Sequence, residues 1–222
     1  MKKLFFVLTF LFFLSFNVWA ADCSDITFEP EITVNYSFGN LTYDQSKSID
    51  QITILSRQIN QTESSSFAEG LSTVDIRFKI NVTTMAQPID RYKFCVIPSK
   101  IDIFIGLTKP VIYLANSLIE GSCKYNIVLR HEQTHQQINK TTLEYYLPIF
   151  KAAVTNILKK SSAIPINDTS QIEFVTKNLT ESYNKTLLPL VDYIKKEISK
   201  EQLKLDNQIN YKYEYKLCEN NN

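Results

Sequence analysis

The sequence predicts an α+β fold, with a β-rich first part at residues 22–115 and a helical second part at residues 122–216. Two patterns predict this division. Before residue 115, several segments alternate apolar and polar residues, as strands with one buried face do. After Ser122, apolar residues recur every three or four positions, as in amphipathic helices. We therefore expect a mostly antiparallel sheet packed against long C-terminal helices, in one domain at residues 21–222.

The first twenty residues are typical of an export signal. Lys2 and Lys3 precede an apolar run from Leu4 to Phe16, and Val18-Trp19-Ala20 offers small residues where a signal peptidase cuts. We expect cleavage there, because the apolar run is too short to span a membrane comfortably. Since no second long apolar run follows, the mature protein is expected to be periplasmic or secreted, with no membrane segment.

Five segments of the β-rich part are predicted to be strands. They are Glu31–Tyr36, Ser72–Thr83, Tyr92–Ile97, Lys100–Leu107 and Val111–Leu114. The last two are separated by a predicted turn region at Gly106–Pro110. Apolar residues at helical spacing predict a helix across Ser46–Ile59, and the polar, Ser-rich stretch Gln61–Gly70 is the predicted flexible loop.

Three helical stretches are predicted in the second part. Gly121-Ser122 supplies a stop and an N-cap for the first of them. The second, Thr141–Lys160, contains Pro148, which should kink it. The third begins at the capping-box signature Ser170-x-x-Glu173, and its apolar stripe, Ile172 to Ile198, is expected to pack on the first helix while this helix closes the other side of the fold.

The four cysteines predict two disulfides, because an even number in an exported chain is typical of cystine pairs. Three pairings are possible. We favour Cys95–Cys123, which would join a strand to the start of a helix, and Cys23–Cys218, which would join the two ends. The cysteines show no C-x-x-C spacing, and this argues against a zinc site built from thiolates.

The charge balance argues against nucleic acid as a partner. The chain has 24 basic and 23 acidic residues, and loss of Lys2 and Lys3 with the signal gives a formal net charge of −1. A protein without a basic field does not attract a polyanion. The oligomeric state stays open.

Both histidines of the chain lie in one pentapeptide, His131-Glu132-Gln133-Thr134-His135. This is the H-E-x-x-H pattern of zinc hydrolases. On a helix, a spacing of four places both imidazoles on one face, where they can bind a single metal ion. Glu132 lies about 100° around the helix from His131, which suits a general base acting on a metal-activated water. We therefore predict that His131 and His135 bind Zn²⁺ and that Glu132 is catalytic.

A third zinc ligand is expected, because catalytic zinc normally takes three protein ligands. No histidine remains, so the third ligand must be a carboxylate or another oxygen donor, and Glu144 and Asp206 are the leading candidates. On an unbroken helix Glu144 would lie about 180° from His135, so it requires a break near Asn139-Lys140. Further possibilities are Glu120, Glu173 and Glu181. The third ligand is left open.

Residues 111–147, about a sixth of the chain, resemble poorly characterised bacterial secreted proteins described as zinc-dependent proteases. The matching parts are the turn at Cys123 and the HEQTH helix. The resemblance implies a minimal zincin-like fold, with His131 and His135 as metal ligands and Glu132 as the catalytic residue. In such folds an edge strand beside the motif helix can hold an extended substrate. Lys100–Leu107 or Val111–Leu114 would be that strand.

The motif predicts an exported zinc metallopeptidase that acts on a peptide or protein substrate. Two other functions are compatible with the same residues. The first is a periplasmic binding or assembly protein with a non-catalytic metal helix, which a dry, fully buried His131–His135 face without a third carboxylate would favour. The second is a zinc amidase acting on cell-wall peptides, which a deep, narrow cleft would favour. Other divalent metals fit two imidazoles and a carboxylate almost as well as zinc.

Overall fold

The computed structural model describes residues 23–26, 28–60, 67–159 and 161–219. The predicted export signal and residues 61–66 of the predicted loop lie outside the described residues. The main elements are, in chain order, β1 (Glu31–Ser37), β2 (Thr42–Asp44), α1 (Ile49–Asn60), β3 (Gly70–Asp90), β4 (Lys93–Leu114), α2 (Cys123–Leu158), β5 (Ile164–Ile166), α3 (Ile172–Leu205) and α4 (Gln208–Glu219). Short 3₁₀ helices lie at Cys23–Asp25 and Thr169–Gln171. The α+β class is as predicted.

The five described strands form one sheet around β4. β3 and β4 form a long antiparallel hairpin, joined by a turn at Arg91-Tyr92. Because β3 occupies one side of β4, the other strands take the opposite side. There β5 is antiparallel to β4, but β1 and β2 run parallel to it. The sheet is therefore partly parallel, which the prediction of a mostly antiparallel sheet did not include.

Three of the predicted strands, which lie between residues 92 and 114, belong to the single 22-residue strand β4, apart from Tyr92 in the preceding turn. The expected turn at Gly106–Pro110 is an irregularity within it, where Lys109 has a φ of 52°. Gly106 allows a close approach of β1, because a Cβ there would lie 2.5 Å from the backbone oxygen of Ser37. Since β4 is paired on both sides along residues 100–106 and 111–113, the expectation that Lys100–Leu107 or Val111–Leu114 is a free edge strand is wrong.

The motif lies on α2, whose start agrees with the prediction. The hydroxyl of Ser122 accepts a hydrogen bond from the backbone N–H of Tyr125 (3.1 Å) and caps the helix. The helix continues without the break considered near Asn139-Lys140 and runs through Pro148. It stays intact because its buried face is uninterrupted there, from Asn139 through Leu143.

The helices α2 and α3 pack side by side on one face of the sheet, so the expectation that the C-terminal helix closes the other side is wrong. Their shared core contains Ile80 and Val82 of β3, Ile101, Ile103 and Ile105 of β4, Leu143, Phe150 and Val154 of α2, and Leu187, Val191 and Ile194 of α3. Full burial of such a side chain contributes about 1.5–3 kcal/mol. This core therefore determines where the end of α3 lies relative to the motif on α2.

The disulfides join Cys23 to Cys95 and Cys123 to Cys218, so the predicted pairing is wrong. Cys95 lies near the start of β4, and most of that strand separates it from the turn before Cys123. Two disulfides indicate an oxidising, extracytoplasmic compartment. Among the described residues, no helix has the length and apolar character needed to cross a membrane.

Candidate metal centre

Side chains of His131, His135 and Asp206 meet between α2 and the end of α3. The Nε2 atoms of the two histidines are 3.1 Å apart. Oδ1 of Asp206 lies 3.2 Å from Nε2 of His131 and 3.0 Å from Nε2 of His135. In a tetrahedral zinc site with bonds of about 2.0–2.1 Å, neighbouring donors are about 3.3 Å apart. The three atoms are therefore spaced as three corners of such a site.

The second nitrogen of each histidine ring contacts an acceptor. The Nδ1 atom of His131 donates to Oε2 of Glu214 (3.0 Å), and that of His135 donates to Oε1 of Gln202. The amide of Gln202 has a defined orientation, because its Nε2 donates to the backbone oxygen of His135 (3.1 Å) and to Oδ1 of Asn139 (2.7 Å). When a ring is neutral with its proton on Nδ1, its Nε2 lone pair points towards Asp206, and when the ring is protonated its Nε2–H donates to Asp206.

In the neutral form of both rings, three electron-rich atoms lie within 3.2 Å of one another. Two unprotonated imidazole nitrogens repel each other at that distance, and the carboxylate of Asp206 adds negative charge. A positive charge at this point removes the repulsion, whether it is a proton on Nε2 that is donated to Asp206 or a metal ion bound by all three atoms. The chemistry of the donors therefore fits a metal ion.

Asp206 is positioned by the turn between α3 and α4. The side chain of Asn207 caps α4 by accepting a hydrogen bond from the backbone N–H of Asn210 (2.9 Å), while the Asn210 amide donates to the backbone oxygen of Leu205 (3.0 Å). These bonds connect the last turn of α3 to the first turn of α4. They place Asp206 at the helix end that faces the histidines.

The hydroxyl of Tyr211 on α4 donates to Oδ1 of Asp206 (2.8 Å). Burial by itself would raise the pKa of Asp206, but hydrogen bonds from His131, His135 and Tyr211 outweigh it and lower the pKa. Burial also raises the pKa of Tyr211, and its bond to Asp206 adds to that rise. Asp206 is therefore ionised and Tyr211 is a neutral donor at ordinary pH.

The contacts between Asp206 and the two histidines, which lower the pKa of Asp206, raise the pKa values of the histidines. Burial lowers the pKa of both rings, but other effects outweigh it and both pKa values are raised. For His131 these are the hydrogen bond to Asp206 and the charge of Glu132, and for His135 the hydrogen bond to Asp206 and the charge of Asp206. The field at this point of the molecule therefore favours positive charge. A bound cation would meet the same favourable field.

Glu132 is directed towards the sheet and is 7% exposed. Gly70 at the start of β3 makes room for it, because a Cβ at Gly70 would lie 2.7 Å from Cγ and Oε1 of Glu132 and 2.6 Å from Cγ1 of Val128. Burial raises the pKa of Glu132 to about 7, against the opposing effects of both histidines and a backbone hydrogen bond from Ser72. Such a carboxyl group exchanges a proton near neutral pH.

The motif helix is attached to β3 beside Glu132. The buried amide of Gln136 donates to Oγ of Ser72 (2.7 Å) and to the backbone oxygen of Thr73 (2.9 Å). Among the described strands, β3 pairs only with β4. Side chains of α2 therefore form hydrogen bonds with this stretch of β3, and these bonds fix the position of the motif helix on the sheet.

The structure brings Asp206 to the histidines, but not Glu144. Glu144 is exposed on the unbroken helix α2 and therefore stays on the side away from His135. The other candidates, Glu120, Glu173 and Glu181, are also exposed. Among the described residues, His131, His135 and Asp206 form the group whose ligand atoms are close enough to share one ion.

Sequence reasoning missed Gln202, Tyr211, Glu214 and Gly70. One signal was available for Gln202, which precedes Asp206 by four residues, the same spacing that separates His131 from His135. Tyr211 and Glu214 belong to α4, which was not predicted as a separate helix within the helical part at residues 122–216. Gly70 had no local signal, because its role comes from contact with a distant helix.

No family model matches the chain, and no curated protein or solved structure matches it either. The resemblance of residues 111–147 to secreted zinc-dependent proteases therefore stays a hypothesis.

Proposed function

We propose that the protein is a zinc metallopeptidase, exported to the periplasm or the medium, that hydrolyses peptide bonds in peptide or protein substrates. His131, His135 and Asp206 would bind the zinc ion, and Glu132 would act as the general base. One observation carries this proposal: Nε2 of both histidines and Oδ1 of Asp206 lie within 3.2 Å of one another. The buried carboxyl group of Glu132 is on the same helix as the two histidines.

The donor set favours zinc over the hard cations. Magnesium and calcium prefer sites made of oxygen atoms, whereas two imidazoles and a carboxylate are typical of catalytic zinc. Two neutral imidazoles and one carboxylate leave a net positive charge on a divalent ion. The ion would therefore keep its capacity to polarise a substrate.

In such a site zinc polarises the scissile carbonyl and lowers the pKa of water. Glu132 would accept the proton of the attacking water and pass it to the departing amine, which suits a carboxyl group with a pKa of about 7. Glu214 and Gln202 would hold the histidine rings in orientation through their Nδ1 atoms. The chain thus supplies a proton carrier and oriented ligands.

Solvent reaches the site from the side of Asp206. Its side chain is 39% exposed, whereas those of His131 and His135 are 6% and 12% exposed. A substrate would therefore approach along the turn between α3 and α4. We expect a bound peptide to contact this turn rather than β4, which lies inside the sheet.

Burial of the motif favours a second candidate, an exported binding or assembly protein with a structural metal. His131 is 5% and Glu132 is 7% exposed, so a metal could serve to tie α2 to α3 without turnover. The partly exposed carboxylate of Asp206 argues for the enzyme, because a structural site is usually closed to solvent.

Hydrolysis separates the two candidates. The zinc-loaded protein is assayed on a mixed peptide library and on a cell-wall peptide, beside E132Q and the matched surface variant E120Q. We expect E132Q to bind zinc but to lose about 10²–10⁴-fold in turnover, while E120Q keeps the wild-type rate. Wild-type turnover in E132Q would contradict the enzymatic role, and zinc binding without hydrolysis of any substrate would support the structural metal.

A further inference from the structure

Helix α4 contacts the candidate site along one of its faces. Tyr211, Glu214 and Cys218 are separated by three and four residues, so they lie on the same side of the helix. Tyr211 stacks on the ring of His131, with centroids 5.1 Å apart, and Glu214 accepts from the same ring. Cys218 is bonded to Cys123 at the start of α2. The face of α4 that supports the ligands therefore also carries a disulfide.

Apolar packing contributes little to the position of α4. None of its residues is buried, and Ile209, Tyr213 and Tyr215 are at least half exposed. A helix of 12 residues is marginally stable in water without tertiary support. The position of α4 therefore depends on the contacts of Tyr211 and Glu214 with the site and on its two ends, which are the capped turn at Asn207 and the disulfide at Cys218.

The two disulfides differ in their access to solvent. Cys123 is exposed and Cys218 is half-buried, whereas Cys23 and Cys95 are 3% and 0% exposed. Thiol–disulfide exchange requires access of the attacking thiolate to a sulfur atom. A mild reductant should therefore open Cys123–Cys218 before it opens Cys23–Cys95.

We propose that the Cys123–Cys218 disulfide controls the metal affinity of the site, an inference that rests on the metal-binding part of the proposed function. The closed disulfide holds Glu214 on His131 and Tyr211 on Asp206. A dithiol reductant converts the disulfide into two cysteine thiols and is itself oxidised to a cyclic disulfide. Helix α4 then loses its covalent connection to α2, and the hydrogen bonds of Glu214 to His131 and of Tyr211 to Asp206 are weakened.

The size of the effect follows from the role of those partners. Loss of an outer hydrogen bond to a metal ligand typically costs about 10–100-fold in metal affinity. Because coupling between two equilibria is reciprocal, bound zinc must make the disulfide harder to reduce by the same factor. For this two-electron couple, the factor corresponds to about 30–60 mV in midpoint potential.

The first test compares zinc affinity in two matched double variants, C123S/C218S and C23S/C95S, by competition with a chromophoric chelator. We expect the Kd for Zn²⁺ to rise about 10–100-fold in C123S/C218S and to stay at the wild-type value in C23S/C95S. Circular dichroism and thermal melting of the same samples report whether each is folded. An unchanged Kd in C123S/C218S, or an equal loss in both variants, would overturn the proposal.

The second test needs no variant. The midpoint potential of Cys123–Cys218 in the wild-type protein is measured in a dithiol redox buffer, with and without free Zn²⁺ held constant by a metal buffer. A fall of about 30–60 mV on zinc binding supports the coupling, and an unchanged potential refutes it even if C123S/C218S does not fold. Absence of zinc binding by the oxidised wild type would instead remove the metal site, and this inference with it.

Discussion

The Nε2 atoms of His131 and His135 lie 3.1 Å apart, and the Nδ1 atom of each ring bonds to an acceptor of its own. Histidines that only complete a core distribute their two nitrogens between a donor and an acceptor. Here both Nδ1 atoms already have acceptors, so the two Nε2 atoms are left to each other and to Asp206. Three donor atoms that face one point are an arrangement that a metal ion could use.

Asp206 is expected to be the third ligand, and D206N tests it against E144Q. D206N keeps the size of the side chain but removes its charge, whereas Glu144 is exposed on α2 outside the group. We expect D206N to raise the zinc Kd by more than the roughly 10–100-fold cost of losing an outer partner. E144Q should bind zinc like the wild type. Weaker zinc binding by E144Q together with a wild-type Kd in D206N would mean that Glu144, not Asp206, is the third ligand.

Gly70 is expected to be needed for the position of Glu132. In G70A the added methyl group would meet Glu132 and Val128 at 2.6–2.7 Å, so the carboxyl group must shift while the metal ligands stay in place. We expect G70A to retain zinc and to lose turnover. G106A is the matched control, since its Cβ is also crowded, by Ser37, but lies in the sheet away from the site. Equal turnover per folded molecule in G70A and G106A would argue against the role of Gly70.

Gln202 is expected to orient His135. Q202M keeps a similar volume but removes the acceptor for Nδ1 and the donor to the backbone of His135. We expect about 10–100-fold weaker zinc binding. Q133M, at an exposed motif position whose amide contacts Tyr43, should bind zinc normally. Zinc titration of both variants checks this, and equal affinities would exclude an orienting role for Gln202.

The shared core between the sheet and the helices α2 and α3 predicts that two leucines of α3 differ in their contribution to the free energy of unfolding. Leu187 is fully buried and Leu203 is 71% exposed. L187A should lower the free energy of unfolding by about 2–5 kcal/mol, because it removes buried surface and leaves a cavity. L203A should change it little. Urea unfolding of both variants measures the difference, and equal losses would mean that α3 does not pack as described.

Local patterns predicted the parts of the fold that depend on neighbouring residues. The cap at Ser122, the alternating face of β3 and the apolar stripe of α3 are all found in the structure. They could be predicted because the period of a helix or strand is written in consecutive residues. Three other features involve residues that are far apart in the chain, and for these no local signal exists. They are the parallel strand pairs, the face of the sheet on which α3 packs and the pairing of the cysteines.

In the candidate site, too, the residues that are close in sequence could be predicted and the distant one could not be singled out. His131, Glu132 and His135 share one turn of helix, so their spacing alone predicted that they act together. Asp206 comes from a turn 71 residues beyond His135, and it reaches the site because α3 packs beside α2 and ends there. Glu144 was a closer candidate along the chain but lies on an unbroken helix, which keeps it away from the histidines.

The most direct test of the central claim is the zinc content of the oxidised, purified protein, measured by elemental mass spectrometry beside H131A/H135A. Wild-type protein and variant are both given zinc, washed free of excess and checked for folding by circular dichroism. We expect one zinc ion per wild-type chain and none in the variant. No bound zinc in the wild type, or equal amounts in two folded proteins, would contradict a metal centre at His131, His135 and Asp206.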